Sequence, residues 1–221
     1  MPGGSDGTGD VTGCGTAAPP TSQRRNAGAD HGLPRMIHFH ILQERPEDAV
    51  SIEPLLDASF GDDRQQKTVY RLREGIAPLP DLCFVATDDD GRMLASLRFW
   101  PILIEDDPAI LLGPLAVDPK MRGCGIGRAL VRHGLDTALR RGDRMCVVVG
   151  EPEYYGPFGF MPATPAGLVL PGPVEPRRFQ VLDLVPGASE TTRGLIQRDE
   201  RYALTGPTGR RLRPGATAQS A

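Results

Sequence analysis

Apolar residues along this chain change between a period of two and a period near 3.6, which predicts a succession of strands and helices. Every second residue is apolar at the start of the segment 37–42, so the first strand is predicted there. A helix is predicted over residues 46–60. Its predicted apolar face consists of Val50, Leu55, Leu56 and Phe60.

A β-hairpin is predicted in the middle of the chain. Two apolar runs, residues 83–87 and 92–100, flank the sequence Asp-Asp-Asp-Gly at 88–91. An acidic residue followed by glycine between two such runs is a strong hairpin signal. Further strands are predicted at residues 110–117, 146–150, 168–170 and 179–185, with a helix at 125–141. Residues 72–79 fit neither period, so their structure is left open.

The order of these elements predicts an α/β fold with a mixed sheet, because helices alternate with strands and one antiparallel hairpin is included. A chain of 221 residues is long enough for one well-buried domain with tails. We expect a disordered N-terminal tail at residues 1–35, because that segment is rich in Gly, Pro and small polar residues. The folded domain is then expected at 36–205, with Met36 as a candidate natural start, and a flexible C-terminal tail at 206–221.

A glycine-rich loop lies between the strand at 110–117 and the following helix. Three glycines, Gly123, Gly125 and Gly127, are expected to adopt positive φ and to let a ligand approach the backbone. The unpaired N–H groups of the first helical turn point toward that ligand, and the helix dipole favours an anion. The loop therefore predicts an anion-binding site.

The spacing of the glycines in the loop distinguishes between several kinds of anion-binding motif. The third glycine comes one residue too early for a dinucleotide-binding turn, and Arg128 stands where a Walker loop requires Lys. A dinucleotide oxidoreductase is therefore disfavoured. The pattern Arg122-x-x-Gly125-x-Gly127 instead resembles the loop of the GCN5-related N-acetyltransferase (GNAT) family, whose backbone amides hold the pyrophosphate of acetyl-CoA. The Leu-Ala-Val-Asp-Pro sequence that ends at Pro119 strengthens this resemblance.

A second motif supports the same resemblance. Residues 154–162 read Tyr-Tyr-Gly-Pro-Phe-Gly-Phe-Met-Pro, and in this family a Tyr four residues before a Gly-Phe pair marks the last catalytic helix. Tyr155 stands in that relation to Gly159 and Phe160. The form is similar to a bacterial branch described as predicted N-acetyltransferases. The resemblance extends over roughly residues 36–185, and it implies a mostly antiparallel central sheet flanked by helices, with one splayed strand pair that holds the cofactor.

The resemblance also implies where acetyl-CoA binds. The pantothenate arm lies in the gap between the splayed strands, against main-chain groups that lack a sheet partner. The pair Gly113-Pro114 just before this point favours a bulge or an edge. An N–H near Leu115 would polarise the thioester carbonyl. The implied cofactor-binding residues are Leu115, Ala116, Val117, Arg122, Gly123, Cys124, Gly125, Ile126, Gly127 and Arg128.

The implied catalytic residues are Tyr155, Leu115 and Glu151. Tyr155 would donate a proton to the departing CoA thiolate, and the alternative for either adjacent tyrosine is packing under the helix. The general base is less well marked, because residues 109–114 hold no carboxylate. Glu151 and Glu105 are the two candidates for a base that acts through water, and each could equally be an ordinary loop carboxylate.

Two other residues near the loop have simpler interpretations. His133 is expected to be a solvated or hydrogen-bonded helix residue, and Cys124 a small loop residue without a nucleophilic role. Arg122 and Arg128 are expected to contact phosphate, although exposed surface positions are the alternative for both.

Composition limits the partners and the compartment. The formal net charge of -3 gives no large basic field, so nucleic acid is not expected as a ligand. The four cysteines form no Cys-x-x-Cys pair, which suits the cytoplasm and disfavours a disulfide framework or a metal site. No apolar run is long enough for a membrane span.

The sequence thus predicts an N-acetyltransferase that uses acetyl-CoA as co-substrate, needs no metal, and acetylates a small-molecule or peptide amine in a ternary complex. An acyl-CoA-binding sensor or interaction module without turnover is the alternative, and a homodimer is left open.

Overall fold

The structure is a computed structural model, and it describes residues 38–61 and 68–204. The tails predicted at residues 1–35 and 206–221 lie outside the described residues, as does the candidate start Met36. The domain boundaries therefore stay predictions.

The described residues form nine strands and five helices. The strands are β1 (His40–Gln43), β2 (Phe84–Thr87), β3 (Met93–Ile104), β4 (Asp107–Val117), β5 (Met145–Val149), β6 (Met161–Pro162), β7 (Leu168–Val169), β8 (Phe179–Asp183) and β9 (Gly194–Arg198). The helices are α1 (Ala49–Phe60), α2 (Thr68–Arg71), α3 (Ile126–Arg141), α4 (Pro152–Tyr155) and α5 (Ala188–Thr191). A 3-10 turn, Pro46–Asp48, precedes α1.

The strands pair in the order β1-β2-β3-β4-β5-β8-β6. Along this path β4 and β5 are parallel and the other pairs are antiparallel. β9 extends the sheet by pairing antiparallel with the end of β3 and parallel with β7. The prediction of a mixed, mostly antiparallel sheet flanked by helices is confirmed. β3 and β4 are longer than predicted, because a tight turn at residues 105–106 joins them directly.

Helices cover both faces of the sheet. Phe84 and Ala86 of β2 belong to the core cluster that includes α3, whereas Val85 between them packs in a cluster with α1. Successive residues of a strand point to opposite faces. α1 and α3 therefore lie on opposite sides of the sheet.

The predicted apolar face of α1 is partly wrong. Val50 is 82% exposed, whereas Ile52, which the pattern did not include, is fully buried beside Leu56. Residues two positions apart are separated by about 200° around a helix, so Val50 and Ile52 cannot share a face. The pair Ile52 and Leu56, four residues apart, defines the buried stripe, and Leu55 and Phe60 pack beside it.

α3 sits unusually close to the sheet at Gly134. A Cβ atom on Gly134 would lie 2.5 Å from Cε2 of Phe99, a fully buried residue of β3. The helix carries its other buried residues on the same side: Ile126, Gly127, Leu130, Val131, Leu135 and Ala138. This contact fixes the height of α3 above the sheet, and with it the position of the glycine loop at its N-terminus.

The segment that the sequence left open, residues 72–79, follows α2 and packs into the interior. α2 is followed by a turn, and Ile76 makes an isolated bridge with Ala203. Leu72, Ile76 and Leu79 are buried. Within residues 38–61 and 68–204, no helix is long and apolar enough to cross a membrane.

Candidate active site

β4 and β5 separate in the middle of the sheet. Their parallel pairing joins Ile110 to Cys146 and Leu111 to Val147, and among the described residues it goes no further. On the other side of β4, three residues of β3 (Leu97 to Phe99) face four of β4 (Leu112 to Leu115), so β4 carries one extra residue. The bulge falls at Gly113-Pro114, where the sequence predicted it, and Gly113 has φ +110°.

Main-chain groups of Leu115 and Val117 face the gap beyond this bulge. The amide of Asp118 donates to the carbonyl of Leu94, which makes these two residues a hydrogen-bonded pair across β3 and β4. Hydrogen-bonded and non-hydrogen-bonded pairs alternate in an antiparallel ladder, so the pair formed by Ala116 is hydrogen-bonded and the pairs formed by Leu115 and Val117 are not. The expectation that all three residues offer free backbone groups is therefore corrected: the backbone of Ala116 bonds to β3, because it faces the opposite way.

A cavity of about 670 Å³ occupies the gap. Its walls come from the β4 bulge, the end of β5, α4, α2 and the segment that follows β7. The side chains and backbone that line it include Tyr70, Arg73, Leu115, Glu151, Tyr154 and Tyr155.

The glycine loop provides an open helix N-terminus beside the gap. Gly123 and Gly125 have φ +81° and +83°, and a Cβ atom at either would meet no protein atom within 4 Å. Gly125 is the N-cap of α3 and no side chain caps the helix, whose first turn contains no acidic residue. The first amides of α3 are therefore free of side-chain acceptors, as an anion site requires.

Gly127 has a different role from the one expected. It lies inside α3 and is not among the residues with positive φ, so the prediction of a left-handed conformation is wrong there. A Cβ atom on Gly127 would lie 2.7 Å from the hydroxyl of Tyr154 and 3.2 Å from Cγ2 of Val117. Glycine is required at this position because the Tyr154 side chain approaches the helix closely.

Arg122 and Arg128 are exposed beside the loop. Within the described part of the chain, neither forms an ion pair with a carboxylate. The guanidinium of Arg128 lies 5.9 Å from the centre of the Tyr154 ring. Both side chains are thus in a position to meet an anion at the N-terminus of α3. Cys124 is half-buried in the loop, and His133 packs edge-on against Phe84 with ring centres 4.7 Å apart.

Tyr155 lies deep in the cavity against the end of β5. A Cβ atom on Gly150 would lie 2.1 Å from Cε2 of the Tyr155 ring. Burial raises the pKa of the Tyr155 phenol above its ordinary value, with smaller contributions from Tyr154 and Cys146, and the charges of Arg73 and Arg178 offset only part of this shift. The phenol is therefore held in its protonated form, which is the form a general acid needs.

Tyr154 faces the opposite wall. Its hydroxyl lies beside Gly127 in α3, while its ring stands edge-on to that of Tyr155 with centres 5.0 Å apart. Burial raises the pKa of Tyr154 as well, and the charge of Arg128 lowers it. The two adjacent tyrosines thus contact different parts of the site.

Glu151 begins α4 at the rim of the cavity. Its carboxylate oxygens lie 3.1 Å from Nη2 of Arg177 and 3.0 Å from Nε of Arg178. The side chain is about half exposed, at 48%. Glu151 is therefore a solvent-connected carboxylate held by two guanidinium groups near Tyr155.

Glu105, the other predicted base, lies elsewhere. It is in the β3–β4 turn with φ +50°, and its Oε1 accepts a hydrogen bond of 2.8 Å from the amide of Leu195. It does not line the cavity. Glu105 holds β9 against the end of β3, so its hypothesis as a base is wrong.

Three residues of the site carry no signal in the sequence. Tyr70 lies in α2, Arg73 in the turn after it, and Trp100 in β3. Arg73 is buried, and its guanidinium carbon lies 5.0 Å from the Tyr70 ring centre and 5.9 Å from that of Trp100. Burial lowers the pKa of Arg73 to about 10, although charge interactions with Tyr70 and Tyr155 oppose the shift. Tyr70 and Arg73 are neighbours in one turn, whereas only tertiary folding brings Trp100 to them.

One cluster in the described residues has the composition of a metal site. Side-chain atoms of His38, His40 and Asp89 lie within 4.8 Å of one another. All three are exposed, and both imidazoles lie 2.9 Å from the same carboxylate oxygen. The cluster is remote in sequence from every residue of the cavity, and the prediction of an enzyme without a metal stays a prediction.

Known proteins resemble this chain over most of its length. The family model for the acetyltransferase (GNAT) family matches residues 49–153. The uncharacterized N-acetyltransferase YhbS of Escherichia coli is 37% identical over 164 residues, which are 73% of this chain and 97% of that protein.

Two solved structures match the fold as well. The crystal structure of the E. coli GNAT family N-acetyltransferase YhbS in complex with CoA has a TM-score of 0.65 and 35% identity, covering 80% of this chain and 98% of the other. That of a GNAT family acetyltransferase from Brucella melitensis in complex with acetyl-CoA has a TM-score of 0.54 and 30% identity, covering 72% and 95%.

Proposed function

This chain belongs to the GNAT family and is an acyltransferase, and from that premise we propose that it moves an acetyl group from acetyl-CoA to a primary amine by direct attack in a ternary complex. The observation that carries the proposal is the gap between β4 and β5, which combines free main-chain groups at Leu115 and Val117 with an uncapped helix N-terminus at Gly125. An extended thioester with a diphosphate at one end needs both features together.

Acetyl-CoA would lie along the gap. The pantetheine arm pairs with the backbone of β4 at Leu115 and Val117, and the pyrophosphate accepts hydrogen bonds from the loop residues Gly123 to Gly127. Arg122 and Arg128 contact the phosphates from the exposed side. The CoA and acetyl-CoA complexes of the E. coli and Brucella melitensis proteins support this choice of co-substrate.

The reaction then proceeds by nucleophilic attack. The neutral amine forms a C–N bond to the thioester carbon, the carbonyl oxygen takes the negative charge, and the N–H of Leu115 stabilises that oxyanion, a contribution of about 3 kcal/mol in comparable sites. Collapse of the intermediate breaks the C–S bond. Tyr155 donates its proton to the CoA thiolate as it leaves.

The amine must lose a proton during the attack. Glu151 lies at the solvent-facing rim near Tyr155, so we propose that it accepts this proton through water. Its ion pairs with Arg177 and Arg178 orient the carboxylate. The thiols of Cys83 and Cys146 are buried and free, so they take no part in this proton transfer. Free thiols suit the reducing cytoplasm, which we propose as the location of the protein.

The test measures binding and turnover separately. Calorimetry with acetyl-CoA, NAD and ATP should show acetyl-CoA as by far the tightest ligand, and free CoA release should follow when a panel of amines is added. Gly125→Val should abolish acetyl-CoA binding, because the added side chain enters the proposed anion site and φ +83° is strained for a β-branched residue. The rest of the fold should stay intact, because no atom of the described residues, apart from the two chain neighbours, lies within 4 Å of a Cβ there.

Two results would contradict the proposal. Tighter binding of NAD would overturn the acetyltransferase itself. Tight binding of acetyl-CoA with no CoA release for any amine would instead favour an acyl-CoA sensor without turnover.

A further inference from the structure

A second cavity opens beside the first. It has a volume of about 370 Å³ and shares Tyr70, Arg73 and Pro114 with the main cavity. Trp100 and Glu74 line its far side. The shared residues lie next to the β4 bulge, so a molecule in the second cavity lies beside the position proposed for the acetyl group.

Arg73 is a buried cation at this junction without a carboxylate partner among the described residues. Arg73 is only 9% exposed, and its Nε has no hydrogen-bond partner in the described part of the chain. Its Nη2 atom is 3.3 Å from the place a Cβ atom would take on Gly113. A buried guanidinium costs free energy unless it is paired, so this position indicates a missing anion.

Two further donors point to the same kind of partner. The hydroxyl of Tyr70 and Nε1 of Trp100 are buried, and neither has a hydrogen-bond partner among the described residues. Their rings flank the guanidinium of Arg73 at 5.0 and 5.9 Å. The indole N–H is only a donor and the guanidinium is only a donor, so the group that satisfies them must be an acceptor. A planar guanidinium held between two rings suits an oxyanion in particular.

We propose that Arg73, Tyr70 and Trp100 form an oxyanion subsite that holds a carboxylate or phosphate group of the acceptor. This inference rests on the proposed transfer to an amine and narrows the acceptor to a small molecule whose amine lies a few bonds from a negatively charged group. Amino acids and phosphorylated amino alcohols are the two sources of that chemistry. A polyamine, which carries no anionic group, does not fit it.

The first test needs no turnover. Trp100 is the single tryptophan of the chain, so its fluorescence reports on the subsite directly. Wild-type protein is titrated with sodium acetate and with inorganic phosphate, and sodium chloride at equal ionic strength is the control. A saturable change in emission in the millimolar range is expected for at least one oxyanion and none for chloride. A response to neither oxyanion would overturn the subsite.

A matched pair of variants assigns the response to Arg73. Arg73→Met should lower the affinity for the oxyanion by roughly tenfold or more, because a charged hydrogen bond is lost. Arg140→Met removes an exposed arginine on α3 and should leave the titration unchanged. An unchanged response in Arg73→Met protein that still binds acetyl-CoA would place the anion elsewhere.

The second test uses the reaction. CoA release is compared for glycine against glycinamide and for phosphoethanolamine against ethanolamine. The anionic member of at least one pair should have the higher kcat/KM by roughly tenfold or more, and Arg73→Met should abolish the difference. Equal rates within both pairs would contradict the subsite. A saturable Trp100 response with no CoA release from any amine would support the subsite and contradict the proposed transfer.

Discussion

Two adjacent tyrosines divide the site at the scale of single residues. The ring of Tyr155 packs on Gly150 at the end of β5, whereas the hydroxyl of Tyr154 reaches Gly127 in α3. Neither contact leaves space for a Cβ atom at the glycine concerned. The two glycines therefore direct the two side chains to different walls, and substitutions at the two tyrosines should have separable effects.

Tyr155→Phe should lower kcat by roughly 10² to 10⁴ and change acetyl-CoA affinity little, because the phenol is the proposed acid and its ring packing survives. Steady-state kinetics on an amine found in the panel, with calorimetry of acetyl-CoA, measures both quantities. Tyr154→Phe is the matched control and should lower kcat much less. Equal and small effects for both variants would reduce Tyr155 to a packing residue.

The pH dependence of kcat tests the same assignment. A tyrosine is protonated below its pKa, and burial raises the pKa of Tyr155 above the ordinary value, so its proton is available throughout neutral and mildly alkaline pH. Loss of kcat through Tyr155 is therefore expected only above pH of about 10. An alkaline fall at lower pH that disappears in Tyr155→Phe would contradict this reading.

At the scale of secondary structure, one helix contact sets the position of the proposed anion site. α3 lies on β3 through Gly134 and the ring of Phe99, and its first turn faces the gap beside β4. Gly123 and Gly125 at the helix start are exposed, and a Cβ atom at either would meet nothing within 4 Å. The position of the loop is thus a property of how the helix packs.

Gly134→Ala should destabilise the protein even though alanine favours helices. The propensity gain is about 1 kcal/mol, but the new Cβ would meet the buried Phe99 ring at 2.5 Å, and such overpacking costs about 1–3 kcal/mol. Thermal and denaturant unfolding measure the difference. Asp136→Ala is the control, because Asp136 is exposed on the same helix, and its stability should stay close to wild type. A more stable Gly134→Ala protein would show that the Phe99 ring can move to make room for the added methyl group.

At the scale of the whole molecule, local patterns were enough for α1, α3, the glycine loop and most of the strands, but they did not predict β6, β9, α2 or α5. Periodicity and the turn at 88–91 predicted the hairpin, and the glycine pattern with its lead-in predicted a loop before α3, which the structure places beside the open gap. The bulge at Gly113-Pro114 was also predictable, because both residues disturb a ladder through their own backbone chemistry.

The features that the sequence analysis missed or assigned wrongly depend mostly on contacts between residues that are distant in the sequence. Arg73 meets Trp100 only because the segment after α2 folds over β3, and no local spacing encodes that contact. Glu105 looked like a free carboxylate until β9, ninety residues later, supplied the amide of Leu195. The face of α1 was misassigned at Val50 because a short 3-10 turn precedes the helix and several apolar residues compete for the stripe.

The separation of β4 from β5 has a consequence for how the protein avoids unwanted association. A strand with unpaired N–H and C=O groups normally invites a strand of another molecule to dock, and proteins shield or shorten such edges. Here the unpaired groups of Leu115 and Val117 lie in the interior of a sheet, with β5 and β8 continuing beyond them. A second folded sheet cannot reach them, whereas a thin, extended, flexible chain can enter lengthwise. The recessed edge thus combines strong backbone hydrogen-bonding capacity with protection from aggregation.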